Sequence, residues 1–175
     1  MSQLHEVISK HIPLKSQFLD IGFGSGRDLQ YLKNEGHIIY GIDPSIKFIE
    51  YAQNRFPKIK NQFIQASLPF EKNLFGEINF DAIISIALWM HLYRKEYKDA
   101  VDSIINVSRP GTVIIISYSI GSREQKDERY FETVDLEYLT ELFFDGGFKV
   151  VDTIKSQDSL KRDSLTWVTV VFKRD

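Results

Sequence analysis

A chain of 175 residues with 43% apolar and 26% charged residues has the size and composition of one globular domain. Its net charge of −2 excludes a bulk attraction to nucleic acid, and its lack of cysteine excludes disulfides, thiolate metal sites and a cysteine nucleophile. No run approaches the length of a membrane span, and Met1 to Ile12 carries charges and histidines where a signal peptide needs apolar residues, so the expected location is the cytoplasm.

In chain order, Gln17 to Ile21 reads as a short apolar strand and Arg27 to Glu35 as a helix with Leu29 and Leu32 on one face and Gly36 as its stop. Ile38 to Ile42 is a second strand. Ser45 has the character of an N-cap for a helix that runs to Arg55, where Phe56-Pro57 ends it. Gln62 to Gln65 is a brief third strand. Phe80 to Leu88 is nearly all apolar, as a strand buried on both faces must be. Glu96 to Val107 is helical by period, with Ala100, Val101, Ile104 and Ile105 facing inward, and Pro110-Gly111 turns the chain into a fifth strand, Val113 to Ser117.

Ser119 to Thr133 is polar and reads as a surface loop or lid. A helix opens at Val134 or Asp135 and runs through Phe144 to Gly146-Gly147. Phe148 to Ile154 and Leu165 to Phe172 are strands with no helix between them, joined by the polar run Gln157 to Ser164. This alternation predicts an α/β three-layer sandwich: a mostly parallel seven-stranded sheet whose final strand is antiparallel.

The segment richest in chemistry is Asp20-Ile21-Gly22-Phe23-Gly24-Ser25-Gly26-Arg27-Asp28, which follows the first strand and opens the helix after it. Gly22 and Gly24 allow a ligand close to the main chain, and the following helix points free N–H groups at the same place. In an open α/β sheet, ligands bind in this crevice beyond the strand ends. Asp43 closes the second strand about 20 residues on, where a carboxylate accepts hydrogen bonds from ribose hydroxyls. The third glycine comes one residue earlier than in the dinucleotide pattern G-x-G-x-x-G, and Asp20 at the base of the turn suits a ligand with an amino group better than a pyrophosphate.

From Gln17 to Phe172 the sequence resembles the Rossmann-like class I S-adenosylmethionine-dependent methyltransferases. Asp20 to Gly26 is similar to their D-x-G-x-G-x-G cofactor loop, and Gly41 to Pro44 to their ribose-binding strand end. Gln65 to Phe70 is similar to the segment that touches adenine, with Ser67 where the family usually has an acid. Phe80 to Leu88 resembles the strand that ends beside the methyl donor, and Arg109-Pro110-Gly111 is also typical.

The resemblance implies that S-adenosylmethionine is the cofactor, leaving S-adenosylhomocysteine as product. It implies cofactor contacts at Asp20, Gly22, Phe23, Gly24, Gly26, Asp43, Pro44, Ala66, Ser67, Leu68, Ile86 and Ala87. Methyl transfer is an in-line displacement at an already activated carbon, so the protein mainly positions the acceptor and excludes water, and no metal is required. Leu88-Trp89-Met90-His91-Leu92 lacks the proline motif used for exocyclic amines of DNA bases, and pyrimidine carbon-5 chemistry lacks its cysteine.

His91 is the best-placed titratable side chain for an acceptor proton, the alternative being a structural histidine that contacts backbone or cofactor. Trp89, Tyr118, Arg129 and Tyr130 are candidates for the acceptor pocket, with Arg123 as a further cation in the lid. The basic residues Lys161, Arg162, Lys173 and Arg174 are interleaved with acids and make no nucleic-acid face. Only about 16 residues precede the first strand, so the pocket floor is expected to be open or completed by a second subunit, in a monomer or a homodimer. The expected activity is methyl transfer to oxygen, nitrogen or sulfur of a small molecule. The alternatives are a protein or RNA methyltransferase, a cofactor-binding module without turnover, and a nicotinamide-dependent oxidoreductase, whose glycine spacing fits worse.

Overall fold

A computed structural model describes residues 3–121, 130–157 and 165–175. Its strands are β1 (Gln17–Ile21), β2 (Ile38–Asp43), β3 (Phe63–Gln65), β4 (Phe80–Ile86), β5 (Ser108–Gly121), β6 (Phe148–Gln157) and β7 (Leu165–Arg174). They form one sheet in the order β3-β2-β1-β4-β5-β7-β6, with β7 antiparallel to both its neighbours and the remaining pairs parallel. The helices are α1 (Gln3–His11), α2 (Arg27–Asn34), α3 (Ile46–Arg55), α4 (Tyr97–Asn106) and α5 (Leu136–Asp145). This is the expected three-layer sandwich.

Strand alternation explains the two cores. Phe18, Ile39, Ala82, Ile84, Val113 and Ile115 face one side, where α1, α2 and α3 cover them through Val7, Ile8, Leu29, Leu32, Ile49 and Ala52. Leu19, Ile21, Ile83, Ile114 and Ile116 face the other, against Ala100, Val101 and Ile104 of α4 and Leu139 and Phe143 of α5. Both faces are covered, which is why β4 reads as unbroken apolar sequence.

The structure departs from the sequence reading in four places. The first is α1, which sequence periodicity did not announce. It is held by burial of Val7 and Ile8 and by Asp152 of β6, which accepts from Lys10 Nζ at 2.7 Å and contacts His11 Nε2 at 2.8 Å. Those two partners draw the Asp152 carboxyl down to about 2. The second is β5, which begins at Ser108 and runs through Ser119 to Gly121, residues expected in the lid, because β7 offers a pairing partner as far as Gly121↔Leu165.

The third is the end of β4, at Ile86 rather than Leu88, since Ala87 has φ 59° and cannot continue a strand. The fourth is the expected helix from Glu96, which splits into a 3-10 turn over Arg94–Glu96 followed by α4, with Ile105 only partly buried. Ser45 stands at the N-cap of α3 as expected, but its side chain makes no cap hydrogen bond.

Candidate cofactor and acceptor site

The carboxyl ends of β1 and β4 and the start of α2 border a cleft of about 260 Å³ lined by Asp20, Gly22, Phe23, Ser25, Arg27, Asp28, Ile86 and Ala87. The turn that floors it is a backbone construction. Gly22, Gly24 and Gly26 have φ of 75°, 54° and 70°, a region open to glycine at little cost. Gly22 N donates to Ile42 O at 2.8 Å and Gly26 N to Phe23 O at 3.0 Å, fixing the turn to β2 and to itself. A Cβ at Gly22 would lie 2.7 Å from Leu88 Cδ1, whereas one at Gly24 would meet nothing within 4 Å. Gly22 is therefore needed for packing, and Gly24 borders open space.

Asp43 does more than its position suggested. One carboxylate oxygen accepts from Gly24 N at 2.9 Å and the other from Ser45 N at 2.8 Å. Each oxygen keeps a further lone pair for a ligand hydroxyl. The side chain thus ties the glycine turn to the start of α3, at the position where the resemblance implies ribose contacts. Gly41, two residues earlier, is required by Phe23: a Cβ there would lie 2.6 Å from Phe23 Cδ1.

Asp20 is buried and, among the described residues, its carboxylate has no hydrogen-bond partner. Burial first, and then the carboxylates of Asp28 and Asp43, push its pKa well above the usual range. Two acids, Asp20 and Asp28, line the cleft and Asp43 adds to their negative potential, which suits a ligand with positive charge; S-adenosylmethionine carries an ammonium and a sulfonium. With the open space above Gly24, the residues present fit that cofactor. Ser25, Arg27 and Asp28 of the same segment also line the cleft, beyond the contacts that the resemblance implies. Asp28, an acid in the first turn of a helix beside the glycine motif, was the readable signal. His5 of α1 reaches Asp28 at 3.3 Å and stacks on Tyr31 with ring centroids 3.5 Å apart.

Of the remaining expected cofactor contacts, Pro44 and Ser67 are exposed, Ala66 is half-buried and Leu68 is buried. Ala66 is held to the end of β2 by donation from its N–H to Asp43 O at 3.2 Å. The adenine-side segment is thereby drawn alongside the ribose-side carboxylate.

The acceptor side is different. Trp89, a candidate for the pocket wall or the core, has no exposure and packs edge-on against Tyr97 and Phe143, which places it in the core. Tyr118, at 2% exposure on β5, also lies in that core. Arg129 and Arg123 lie outside the described residues. His91 closes a 3-10 turn, Trp89–His91, and its Nδ1 lies 2.8 Å from Tyr130 O. The edge of its ring meets that of Phe131 at 5.2 Å. Tyr130 is exposed, packs on Tyr93 at 4.0 Å and donates its hydroxyl proton to Glu132 at 2.6 Å. Residues 130–135 are further pinned by Glu132 N to Met90 O at 2.9 Å and by Arg94 to Asp135 at 2.7 Å. Among the described residues no helix is long and apolar enough to cross a membrane.

The family model for the methyltransferase domain matches residues 19–116, more than half the chain and the whole run from β1 into β5. An uncharacterized methyltransferase of Alkaliphilus oremlandii is 30% identical over 116 residues, 63% of this chain and 49% of that protein. Glycine N-methyltransferase of Mus musculus is 27% identical over 114 residues, 57% of this chain and 39% of that protein. The chain thus spans half or less of the length of these two relatives. Among solved structures, the Burkholderia thailandensis 1,6-didemethyltoxoflavin-N1-methyltransferase, bound to its acceptor and S-adenosylhomocysteine, superposes with a TM-score of 0.75 at 20% identity, over 97% of this chain and 75% of that one. With its sheet order, its glycine turn and its acid-lined cleft, this chain belongs to the methyltransferase-domain family of class I S-adenosylmethionine-dependent enzymes.

Proposed function

We propose that this protein transfers the methyl group of S-adenosylmethionine to an oxygen, nitrogen or sulfur atom of a small molecule. The observation that carries the reading is the way residues 130–135 fold back onto Met90, His91, Tyr93 and Arg94, just beyond the cleft-lining Ile86 and Ala87. That contact packs residues 130–135 against the segment that follows the cleft wall, which supports an enclosed acceptor side suited to a small molecule rather than a broad docking surface. The relative whose bound acceptor is 1,6-didemethyltoxoflavin gives the same direction.

The cofactor supplies an electrophilic methyl on a sulfonium when bound. The chain's own residues would hold it: Asp20 would pair with the ammonium, Asp43 would accept from the ribose hydroxyls with its spare lone pairs, and the glycine turn would allow close approach. Phe23, Ile86 and Ala87 give the apolar wall that keeps water from the reacting carbon. Ala66, Ser67 and Leu68 border the base, and Pro44 the ribose. His91 stands next along the chain as the titratable group for the acceptor. Tyr130 offers the exposed ring of the acceptor side.

The test is incubation of the purified protein with methyl-labelled S-adenosylmethionine and cell extract, followed by separation on size. Label in the low-molecular-weight pool is expected. Label on protein or RNA would overturn the small-molecule reading, and saturable cofactor binding with no label transferred to any fraction would mark a binding module.

A further inference from the structure

The geometry points to a second copy of this chain as the partner of β6: we propose a twofold dimer in which two β6 strands pair antiparallel and Lys155 of each copy enters an acidic hollow on α5 of the other.

The two edges of the sheet are unlike. At one end β3 is three residues long, too short to recruit another strand. At the other end β6 has ten residues and no proline, an edge about 33 Å long at the usual rise per residue. Among the described residues no strand pairs with its outer side. Val150 and Val151 are 42% and 47% exposed there, and Phe144 of α5 is 64% exposed. Natural edges are guarded by charge or by a bulge. The bulge of β6 lies between Val150 and Asp152, so its extra residue is the apolar Val151, and Lys149 is already tied to Asp175 at 2.5 Å.

The register with β7 sorts the strand by face. Val150, Thr153 and Lys155 lie opposite Phe172, Val170 and Val168, residues of the core that α5 covers, so all three share the α5 face. Each is exposed. Asp152 and Ile154 face α1 instead. Helix α5 ends over the start of β6, where Phe143 packs on Phe148 with ring centroids 5.7 Å apart. Its outer surface holds a hollow of about 360 Å³ lined by Thr140, Glu141, Phe144 and Asp145. The helix carries Glu137, Glu141 and Asp145 at four-residue intervals and no cation, a row of like charges that repel one another. Among the described residues none of these acids has an ion-pair partner, and neither has Lys155.

A twofold axis at Thr153 brings the unmatched charges together. Ile154 then lies opposite Asp152 of the other copy, and the bulge shifts the next pair so that Lys155 lies opposite Val150, on the α5 face. That is the half of β6 that α5 ends over. The Lys155 ammonium reaches Glu141 and Asp145 while its methylene stem covers Phe144. Ser156 meets Lys149 and Gln157 meets Phe148, so no like charges stand opposite each other. Symmetry repeats every contact, as a closed twofold interface requires. An unrelated strand would need a lysine at this one position, whereas a second copy supplies it.

The test is sedimentation equilibrium of the full chain over a range of concentrations, where a dimer is expected. Lys155→Glu should weaken dimerisation roughly 10-fold or more, and so should the pair Glu141→Lys and Asp145→Lys, because like charges then meet twice in each dimer. Combining all three substitutions should restore the dimer. Val151→Asp should weaken it as well, with no rescue by the charge reversals. Thermal melting checks that each variant is folded. A monomer at every concentration overturns the proposal, and so does a dimer that the charge reversals leave unchanged or that their combination fails to restore.

Discussion

The two halves of the site obey local rules to different degrees. At the ends of β1 and β2, the backbone does the work: three glycines take left-handed angles, and Asp43 satisfies Gly24 N and Ser45 N. Asp20 is the one group there left in tension. At the end of β4 several rules are broken together. Ala87 holds φ 59° without being glycine, and Ser85 Oγ and Trp89 Nε1 are buried with no hydrogen-bond partner among the described residues. A cofactor shared by a whole family can be met by a standard backbone turn. The chain beyond β4 is fixed instead by side chains gathered from separate elements, Tyr97 and Phe143 around Trp89 and Tyr130 and Phe131 around His91, and no single backbone rule sets their positions.

The sharpest way to test the cofactor half is Asp20→Asn. Losing the carboxylate for the cofactor ammonium removes a charged hydrogen bond of about 1.5–3 kcal/mol, a roughly 10- to 150-fold loss of S-adenosylmethionine affinity by titration calorimetry. Stability should move the other way. Burial and neighbouring acids raise the folded pKa of Asp20 above its unfolded value, so its contribution is fully present below about pH 3.9 and is lost as pH rises through the folded pKa. At neutral pH the ligand-free variant should melt higher than native, and at pH 3 the two should converge. A variant that is both weaker in binding and less stable at neutral pH would mean that Asp20 has a structural partner.

A smaller and more local contrast separates two glycines of one turn. Gly24→Ala and Gly22→Ala both place a side chain at positive φ, costing about 1–2 kcal/mol each. Only at Gly22 does the new methyl also collide, 2.7 Å from Leu88 Cδ1. Gly22→Ala should therefore lose more stability in chemical denaturation. Gly24→Ala should lose cofactor affinity out of proportion to its stability, because the methyl enters the space where the ligand approaches. Equal effects in both assays would mean that the turn is a connection and the cofactor lies elsewhere.

The same contrast explains what was legible in the sequence. Seven strands, the antiparallel last strand and the glycine turn follow from periodicities and from residues whose backbone angles announce themselves. Chain order alone leaves Trp89 open between pocket and core and puts Tyr118 at the base of the lid. Burial settles both through partners that local sequence does not announce, Tyr97 and Phe143 for Trp89 and β7 for Tyr118. The second role of Asp43 was hidden for another reason: a carboxylate that binds ribose and one that caps a turn look identical in sequence. Helix α1 escaped because it is short and its anchor, Asp152, is 142 residues from Lys10.

The smallest expected effect falls at the end of β4. Ala87→Gly should relieve a left-handed alanine worth about 1–2 kcal/mol, set against the roughly 0.5–1 kcal/mol that glycine loses in chain entropy. The balance is a stabilisation below about 1 kcal/mol, a rise in melting temperature of about 1–3 °C for a domain of this size. Cofactor affinity should hardly change, since the Ala87 N–H still donates to Ser117 O at 2.7 Å and fixes the path of the chain into the turn. The informative quantity is turnover. If the left-handed angle serves only to steer the chain off the strand, a more flexible glycine will keep the path and the rate. If rate falls while stability rises, the alanine methyl at the cleft wall is holding Leu88 and the His91 turn in place. The strain at this one residue is then the cost of aiming the acceptor side at a cofactor that the other half already holds.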